Sequence, residues 1–434
     1  MPHIVVQGGT SLHGTVRVSG AKNAALPMMA AAILTDQPLR LSDVPDLLDV
    51  QTMNQLLSSL GVASSFFQNR LTLQMIDEGP CLADYELVRR MRASVCVLGP
   101  LLTKRRQATV SLPGGCNIGH RPIDLHLRGL AAMGAEIEVR SGYVFAQARQ
   151  GLRGATVSMA GPQGTSVTGT FNIMAAATLA RGTTVIEYAA LEPEIVAVGE
   201  MLNAMGARIH GLGTSRITIE GVEALSGGQF TVIPDRIEAG TLLVAAAATK
   251  SAIQLANVEP SHLTAVLDLL GEMGATMTSL GDATQTLRFD GTNVSYPVSF
   301  DALPYPDIPT DLQAQLMSLL CCLPGESRIR DLVFPDRLMH VSELCRLGAD
   351  IRLDGNAAII QGTGSLSGAN VMASDLRASA ALVIAGLIAR GETTIHRIYH
   401  LDRGYEQLEN KLNTLGAQIE RMDVARETIL RRPA

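Results

Sequence analysis

The chain has 434 residues with 47% hydrophobic content, enough to bury two sizeable cores. Its formal charge of −6 is mild and of the wrong sign for a nucleic-acid binder, so any anionic ligand must be held by local arginines. No apolar run approaches the ~20 residues of a membrane span, and Met-Pro-His-Ile-Val is not the start of a secretory signal, so the expected setting is cytoplasmic with no membrane partner.

Two strand-like segments come first, Ile4-Val5-Val6 and Thr15-Val16-Arg17-Val18. From Lys22 onward one supersecondary unit recurs six times, with a period of roughly seventy residues. Each unit carries a small-residue-rich helix, apolar nearly all round and therefore expected to be buried. These helices run from Asn23, Arg92, Gly169, Ile237, Asp311 and Leu376. Each unit also has an amphipathic segment ending in glycine: Leu60-Gly61-Val62, Met133-Gly134-Ala135, Met205-Gly206-Ala207, Met273-Gly274-Ala275, Leu347-Gly348-Ala349 and Leu415-Gly416-Ala417. Met53, Leu56, Leu57 and Leu60 keep helical spacing, as do Val266, Leu269, Leu270 and Met273, and the glycine stands where a helix needs a left-handed cap. Six units suggest an α/β fold of two domains with three units each. Residues 22–233 form one domain; residues 1–21 plus 234–434 form the second, which the N-terminal strands close. The two crossings, near Ser19 to Ala21 and near Ile233-Pro234, are what a two-strand hinge needs.

The first turns of the buried helices contain Lys22-Asn23, Arg92, Ser166-Val167-Thr168, Asp235-Arg236, Asp311, Asp375 and Arg377. Charges there are expensive unless they face a cleft. If the helices run parallel within each half, their N-termini converge on an anion-binding surface.

After the strand Ala108-Thr109-Val110-Ser111 comes the loop of residues 112–122, which contains Cys116, His120, Arg121 and Pro122. Its three glycines and two prolines exclude helix and ladder, and the pattern reads as a mobile lid. A thiol beside Arg121 favours its thiolate and can serve as nucleophile or proton donor near neutrality. The other cysteines, Cys81, Cys96, Cys321, Cys322 and Cys345, lack framework spacing and read as reduced thiols. The last four lie in predicted helices as small buried hydrophobes. Arg337, Arg377 and Arg403 occupy corresponding junctions of the last two units and suit a small, doubly anionic ligand. Asp311 either caps its helix or acts as a general base, and spacing leaves both open. With no Walker loop, no HExxH, no paired CxxC and no full dinucleotide fingerprint, neither a nucleotide cofactor nor a required metal is expected.

Ser19-Gly20-Ala21-Lys22-Asn23-Ala24-Ala25-Leu26-Pro27, Met91-Arg92-Ala93-Ser94, Pro113-Gly114-Gly115-Cys116, Arg121-Pro122-Ile123-Asp124, Pro234-Asp235-Arg236-Ile237-Glu238, Pro309-Thr310-Asp311, Asp375-Leu376-Arg377-Ala378-Ser379 and Asp402-Arg403-Gly404-Tyr405-Glu406 stand collinear along the chain. Together they resemble the UDP-N-acetylglucosamine 1-carboxyvinyltransferase branch of the enolpyruvyltransferase family. The resemblance implies an inside-out α/β barrel of two domains, each of three βαβαββ repeats. It implies transfer of the enolpyruvyl group of phosphoenolpyruvate to the 3-hydroxyl of UDP-N-acetylglucosamine with release of phosphate, the first committed step toward peptidoglycan. The family's proton donor, alkylated by fosfomycin, matches Cys116, and its base matches Asp311. Asn23 then holds the sugar, while Lys22, Arg121, Arg337, Arg377 and Arg403 bind phosphate and carboxylate. The nucleotide lies along Arg121, Pro122, Ile123, Asp124 and Leu125 with Arg92, Ser166 and Val167, and Val333 lies near the sugar. Asp307-Ile308 stands where the family usually has Gly-Phe, Pro335-Asp336 replaces a Glu-Asn or Glu-Ser pair, His120 replaces a small lid residue, and Gly164 a diphosphate lysine.

Two other readings remain beside this one: a paralogue acting on another nucleotide acceptor, and a catalytically silent binder of UDP-sugars. The shikimate-pathway relative is disfavoured, because its Gly-Asn-Ala-Gly-Thr motif is missing and a cysteine lid is present instead.

Overall fold

A computed structural model of the chain describes residues 2–113, 123–162, 164–281 and 285–422. These divide into two compact units, one of residues 20–233 and the other of residues 2–19 with 234–422. Each unit has its own apolar core.

Both units repeat one sheet pattern three times: an edge strand parallel to a second, the second antiparallel to a third, and the third antiparallel to a fourth. In the unit of residues 20–233 the middle sheet orders Leu82–Ala83, Gln107–Ser111, Tyr143–Gln147 and Glu136–Arg140. Its companions are Gly228–Thr231, Leu39–Ser42, Arg70–Met75, Val62–Phe67 and Thr156–Ser158, Thr183–Glu187, Arg216–Glu220, Arg208–His210. In the other unit the N-terminal strands complete two sheets. His13–Arg17 is the parallel edge beside Ala252–Ala256, with His13 opposite Ala252, and His3–Gln7 lies between Glu392–His396 and Gln418–Met422.

A parallel pair needs a crossover, and the buried helices supply it. They are Lys22–Ala30, a 3-10 turn Arg92–Val97 continuing as Leu98–Arg105, Val167–Thr178, Arg236–Ala248, Thr310–Leu320 and Leu376–Ile388. In Arg236–Ala248 every residue is buried: from Leu242 onward the side chains are only leucine, valine and alanine, and the Glu238 carboxylate is met by Lys411 and the Ser19 N–H. Small residues also let these helices approach closely. A Cβ on Gly99 would stand 2.2 Å from the Asn172 carbonyl oxygen, so only glycine fits between Leu98–Arg105 and Val167–Thr178. Helices inside and sheets outside, three repeats to a unit, are the architecture that the repeat and the resemblance imply.

The amphipathic helices end as their spacing predicts. Gly61, Gly134, Gly206, Gly274, Gly348 and Gly416 all have positive φ, between 82° and 106°, which reverses the chain into the next strand without a Cβ clash. Two cysteines depart from expectation: Cys322 lies past the end of its helix and is not fully buried, and Cys345 is exposed, because the helix Val341–Arg346 turns Val341 and Leu344 inward and carries Cys345 to the outer face. Cys96 and Cys321 are buried; burial pushes the Cys96 thiol up to about 12 and that of Cys322 to about 11. Among the described residues no helix is long and apolar enough to cross a membrane, and no group of three or more acidic, histidine or cysteine side chains could hold a metal ion.

Candidate active site

In the unit containing the C-terminal repeats, the N-terminal ends of the buried helices carry a cluster of charge. Asp311 lies in the first turn of Thr310–Leu320 but makes no capping bond, so the capping role does not hold. Its two oxygens are shared instead between two arginines: Oδ1 accepts from Arg337 Nη1 at 2.8 Å and Oδ2 from Arg377 Nη2 at 3.0 Å. The two arginine side chains are 6% and 3% exposed while the Asp311 side chain is 26% exposed, which leaves Asp311 the more accessible member of the cluster.

Each arginine is anchored from behind. Arg337 Nη1 also donates to Thr310 Oγ1 at 3.1 Å, and its Nη2 lies 4.0 Å from Asp375 Oδ1. Asp375 caps Leu376–Ile388 through the backbone N–H groups of Arg377 and Ala378 at 2.8 and 3.2 Å. Arg377 lies 5.3 Å from the centre of the buried Tyr405 ring, and the Tyr405 hydroxyl bonds Thr241 and Gln315, both at 3.0 Å. That tyrosine seats the turn Ile398–Arg403, at whose end Arg403 is half-buried. Burial alone would raise the Asp311 pKa, but the charges of Arg377 and Arg337 and their hydrogen bonds hold it well below the usual carboxylate range.

A second carboxylate behind the cluster escaped the reading of the sequence. Asp331 is fully buried; its Oδ1 accepts from the backbone N–H groups of Val333 and Phe334 at 3.0 and 2.7 Å, and its Oδ2 accepts from Thr310 Oγ1 at 2.5 Å. It thereby shapes the turn that carries both Val333 and Arg337. The signal was available, since Asp at the end of a strand before a turn commonly binds the backbone ahead of it.

In the unit of residues 20–233, Lys22 starts its buried helix and its Nζ lies 3.1 Å from Asp49 Oδ2, with both side chains almost fully enclosed. Asp49 also escaped notice, although it falls on the same helical stripe as Met53, Leu56 and Leu57, an odd place for a charge without a partner. Asn23 is exposed between buried neighbours, and Pro27 withholds the N–H that would have met the Asn23 carbonyl.

Ile123, Asp124 and Leu125 open the helix Asp124–Ala132, Ser166 caps Val167–Thr178 through the Gly169 N–H at 3.1 Å, and Arg92 opens the 3-10 turn. Buried His126 brings these segments together. Its Nδ1 meets Asn172 Nδ2 at 3.0 Å and its Nε2 meets Thr168 Oγ1 at 3.2 Å. Asn172 also donates to the Val95 carbonyl at 3.0 Å and accepts from the Gly99 N–H at 2.7 Å. Burial, aided by the charge of Arg92, pushes the His126 pKa down to about 3, so the ring is neutral. His126 sits on the apolar stripe with Gly129, Leu130 and Met133, the signal that would have singled it out. Asp307 and Asp336 are both exposed. Cys116, Arg121, Pro122 and His120 lie outside the described residues.

The chain is similar to proteins of known type over nearly all its length. It is 50% identical over 428 residues to a UDP-N-acetylglucosamine 1-carboxyvinyltransferase of Caulobacter vibrioides, covering 97% of this chain and 98% of that one. It is 47% identical over 422 residues to one of Akkermansia muciniphila, covering 97% and 99%. Among solved structures, the enolpyruvyl transferase NikO from Streptomyces tendae superposes with a TM-score of 0.86 at 24% identity over 97% of this chain and 99% of that one. An EPSP synthase from Acinetobacter baumannii superposes with 0.74 at 19% over 98% and 100%. At such identities these two speak for the fold alone. The model of the EPSP synthase family, 3-phosphoshikimate 1-carboxyvinyltransferase, matches residues 6–412. With two relatives near half identical end to end and a family model that matches residues 6–412, this chain belongs to the EPSP synthase family of carboxyvinyltransferases.

Proposed function

We propose that this chain transfers the enolpyruvyl group of phosphoenolpyruvate to the 3-hydroxyl of UDP-N-acetylglucosamine, releasing phosphate on the way to peptidoglycan. The observation that carries this reading is the 47% and 50% identity, across almost the whole chain, to two enzymes named for that reaction. A cytoplasmic setting is part of this reading, and it is one in which the described cysteines stay free thiols.

The reaction sets clear demands. A proton must reach the methylene carbon of phosphoenolpyruvate, the alkene electron pair forming the new C–H bond. The sugar oxygen, losing its proton to a base, bonds the carbon left electron-deficient. The tetrahedral adduct then expels phosphate as the methyl group gives back a proton and the double bond re-forms. Buried arginines suit a carboxylate ligand, because two guanidiniums present N–H groups in the plane of a three-atom anion. Arg337 and Arg377 are assigned to that carboxylate. Lys22, Arg121 and Arg403 are assigned to the phosphate, Cys116 to the proton donor and Asp311 to the base. On the acceptor side, Asn23 and Val333 take the sugar; Arg92, Arg121, Pro122, Ile123, Asp124, Leu125, Ser166 and Val167 take the nucleotide. Catalytic work falls on Cys116, Asp311, Lys22 and Arg403.

Phosphate release tests the reading. The protein should liberate phosphate from phosphoenolpyruvate only when UDP-N-acetylglucosamine is present, and Cys116→Ala should abolish turnover while still binding the nucleotide sugar. Turnover with another nucleotide acceptor, and none with UDP-N-acetylglucosamine, would overturn the acceptor; full activity of Cys116→Ala would overturn the donor.

A further inference from the structure

The cluster around Asp311 holds a contradiction that the assigned roles leave standing. A carboxylate clamped between two guanidiniums is a weak base, since the charges that stabilise its ionised form also lower its affinity for a proton. We infer that Asp311 is the resident counter-ion of the Arg337–Arg377 pair, and that the carboxylate of the incoming donor displaces it, so that filling the arginine site frees the base. This rests on the proposed reaction and on Asp311 as its base.

The geometry favours exchange at Asp311 over movement of the arginines. Each guanidinium gives one N–H to a different oxygen of the same carboxylate, at 2.8 and 3.0 Å, which is the demand a substrate carboxylate meets equally well. Both arginines are held by other groups, Arg337 by Thr310 and Asp375, Arg377 against Tyr405. Asp311 has no capping duty and is the more exposed member, so a side-chain rotation releases it without disturbing the helix.

The surrounding charges fix the direction of the proton change. Facing Asp311 directly are Arg337 from the turn after Gly325–Asp331 and Arg377 from Leu376–Ile388. Farther back, Asp375, Asp235 and Tyr405 act on the arginines, and Asp331 lies behind Thr310. Burial keeps His340 neutral, pushed down to about 4 despite Asp375. Once the ligand takes the N–H groups of the two arginines and Asp311 rotates away, Asp311 loses two hydrogen-bonded cations and gains an anion nearby. Its proton affinity rises, and a carboxylate in the ordinary range or above is still ionised near neutrality and far more basic than the clamped one.

Titration calorimetry with phosphoenolpyruvate, run in buffers of different ionisation enthalpy between about pH 5 and about pH 7, reads the proton change directly. Comparing wild type with Asp311→Asn removes the ligand's own titration. The expected result is proton uptake by wild type beyond that of the variant, growing as pH falls. Binding to Asp311→Asn should also be on the order of tenfold tighter, since no resident carboxylate must be displaced. Uptake equal in the two proteins would overturn the exchange while leaving the proposed reaction intact, because a ligand that merely joins the clamp leaves Asp311 too acidic to take a proton. Failure of phosphoenolpyruvate to bind either protein would overturn the exchange, which requires the free donor to displace Asp311, and would leave the proposed reaction to the phosphate-release assay with both substrates.

Discussion

His126 Nδ1 accepts a hydrogen bond from Asn172 Nδ2 at 3.0 Å, and through this pair three segments assigned to the nucleotide sugar share one buried joint. The orientation follows from the partners: Asn172 Oδ1 takes the Gly99 N–H, so the amide nitrogen faces the ring, and the ring proton sits on Nε2 toward Thr168. His126→Leu keeps most of the volume and removes both ring bonds. Stability should fall by about 1–3 kcal/mol, the scale for leaving buried polar groups unmet. The KM for the nucleotide sugar should rise at least about tenfold with kcat changed far less, if the joint positions the segments proposed to bind it. An unchanged KM in steady-state kinetics would reduce His126 to core packing.

The same histidine sets a pH dependence of folding. In the unfolded chain it titrates near 6.5; in the fold burial pushes it down to about 3, and His340 is likewise pushed down to about 4. Between those values and 6.5 the unfolded state binds more protons, so stability is complete above about 6.5 and is lost as pH falls below it. At pH 5 each group should cost about 2 kcal/mol by the linkage relation. Denaturant melts at pH 7 and pH 5 should therefore differ by more in wild type than in His126→Gln, and equal slopes would show that the ring is not held neutral.

Much of this molecule was legible in its sequence because the repeat is physical. Gly61 and its five equivalents are required by left-handed backbone, and the buried helices by runs of alanine and leucine. The motif residues at helix starts were equally visible, Asp311, Arg377 and Lys22 among them. What stayed hidden was pairing across elements. Nothing in Pro-Thr-Asp-Leu says that its carboxylate meets Arg377, 66 positions onward, and so the cap and the base could not be told apart. Asp49, His126 and Asp331 carry no signal of their partners in their immediate sequence neighbours, because the partner of each lies in another element. The contribution of the N-terminal strands to the later repeats was legible, since the first repeat starts only at Lys22.

Asp331 should act at a distance on the acceptor. Asp331→Asn retains one acceptor oxygen, which cannot serve both the Val333 and Phe334 N–H groups and the Thr310 hydroxyl. The turn carrying Val333 and Arg337 should loosen at a cost of about 1–3 kcal/mol. The KM values for both substrates should rise if, as proposed, that turn presents Val333 to the sugar and Arg337 to the donor carboxylate. A rise confined to one substrate would mean that the turn keeps its shape and only one end shifts.

The Lys22–Asp49 contact yields the last expectation. Both side chains are nearly enclosed, 10% and 5% exposed, and the 3.1 Å contact offsets part of the cost of burying the ammonium. Removing the carboxylate with Asp49→Asn should destabilise the protein by about 2–4 kcal/mol, somewhat under the usual figure for breaking a fully buried pair. Replacing both partners, as Lys22→Met with Asp49→Leu, should be less harmful to folding than Asp49→Asn alone, since no charge is then left without its counter-ion. If Lys22 also receives the donor phosphate, that anion can stand in for the lost carboxylate. Saturating phosphoenolpyruvate should then raise the Tm of Asp49→Asn by more than it raises that of wild type. An equal rise in both proteins, measured by calorimetry at matched ligand excess, would show that Lys22 serves Asp49 and the fold but not the substrate.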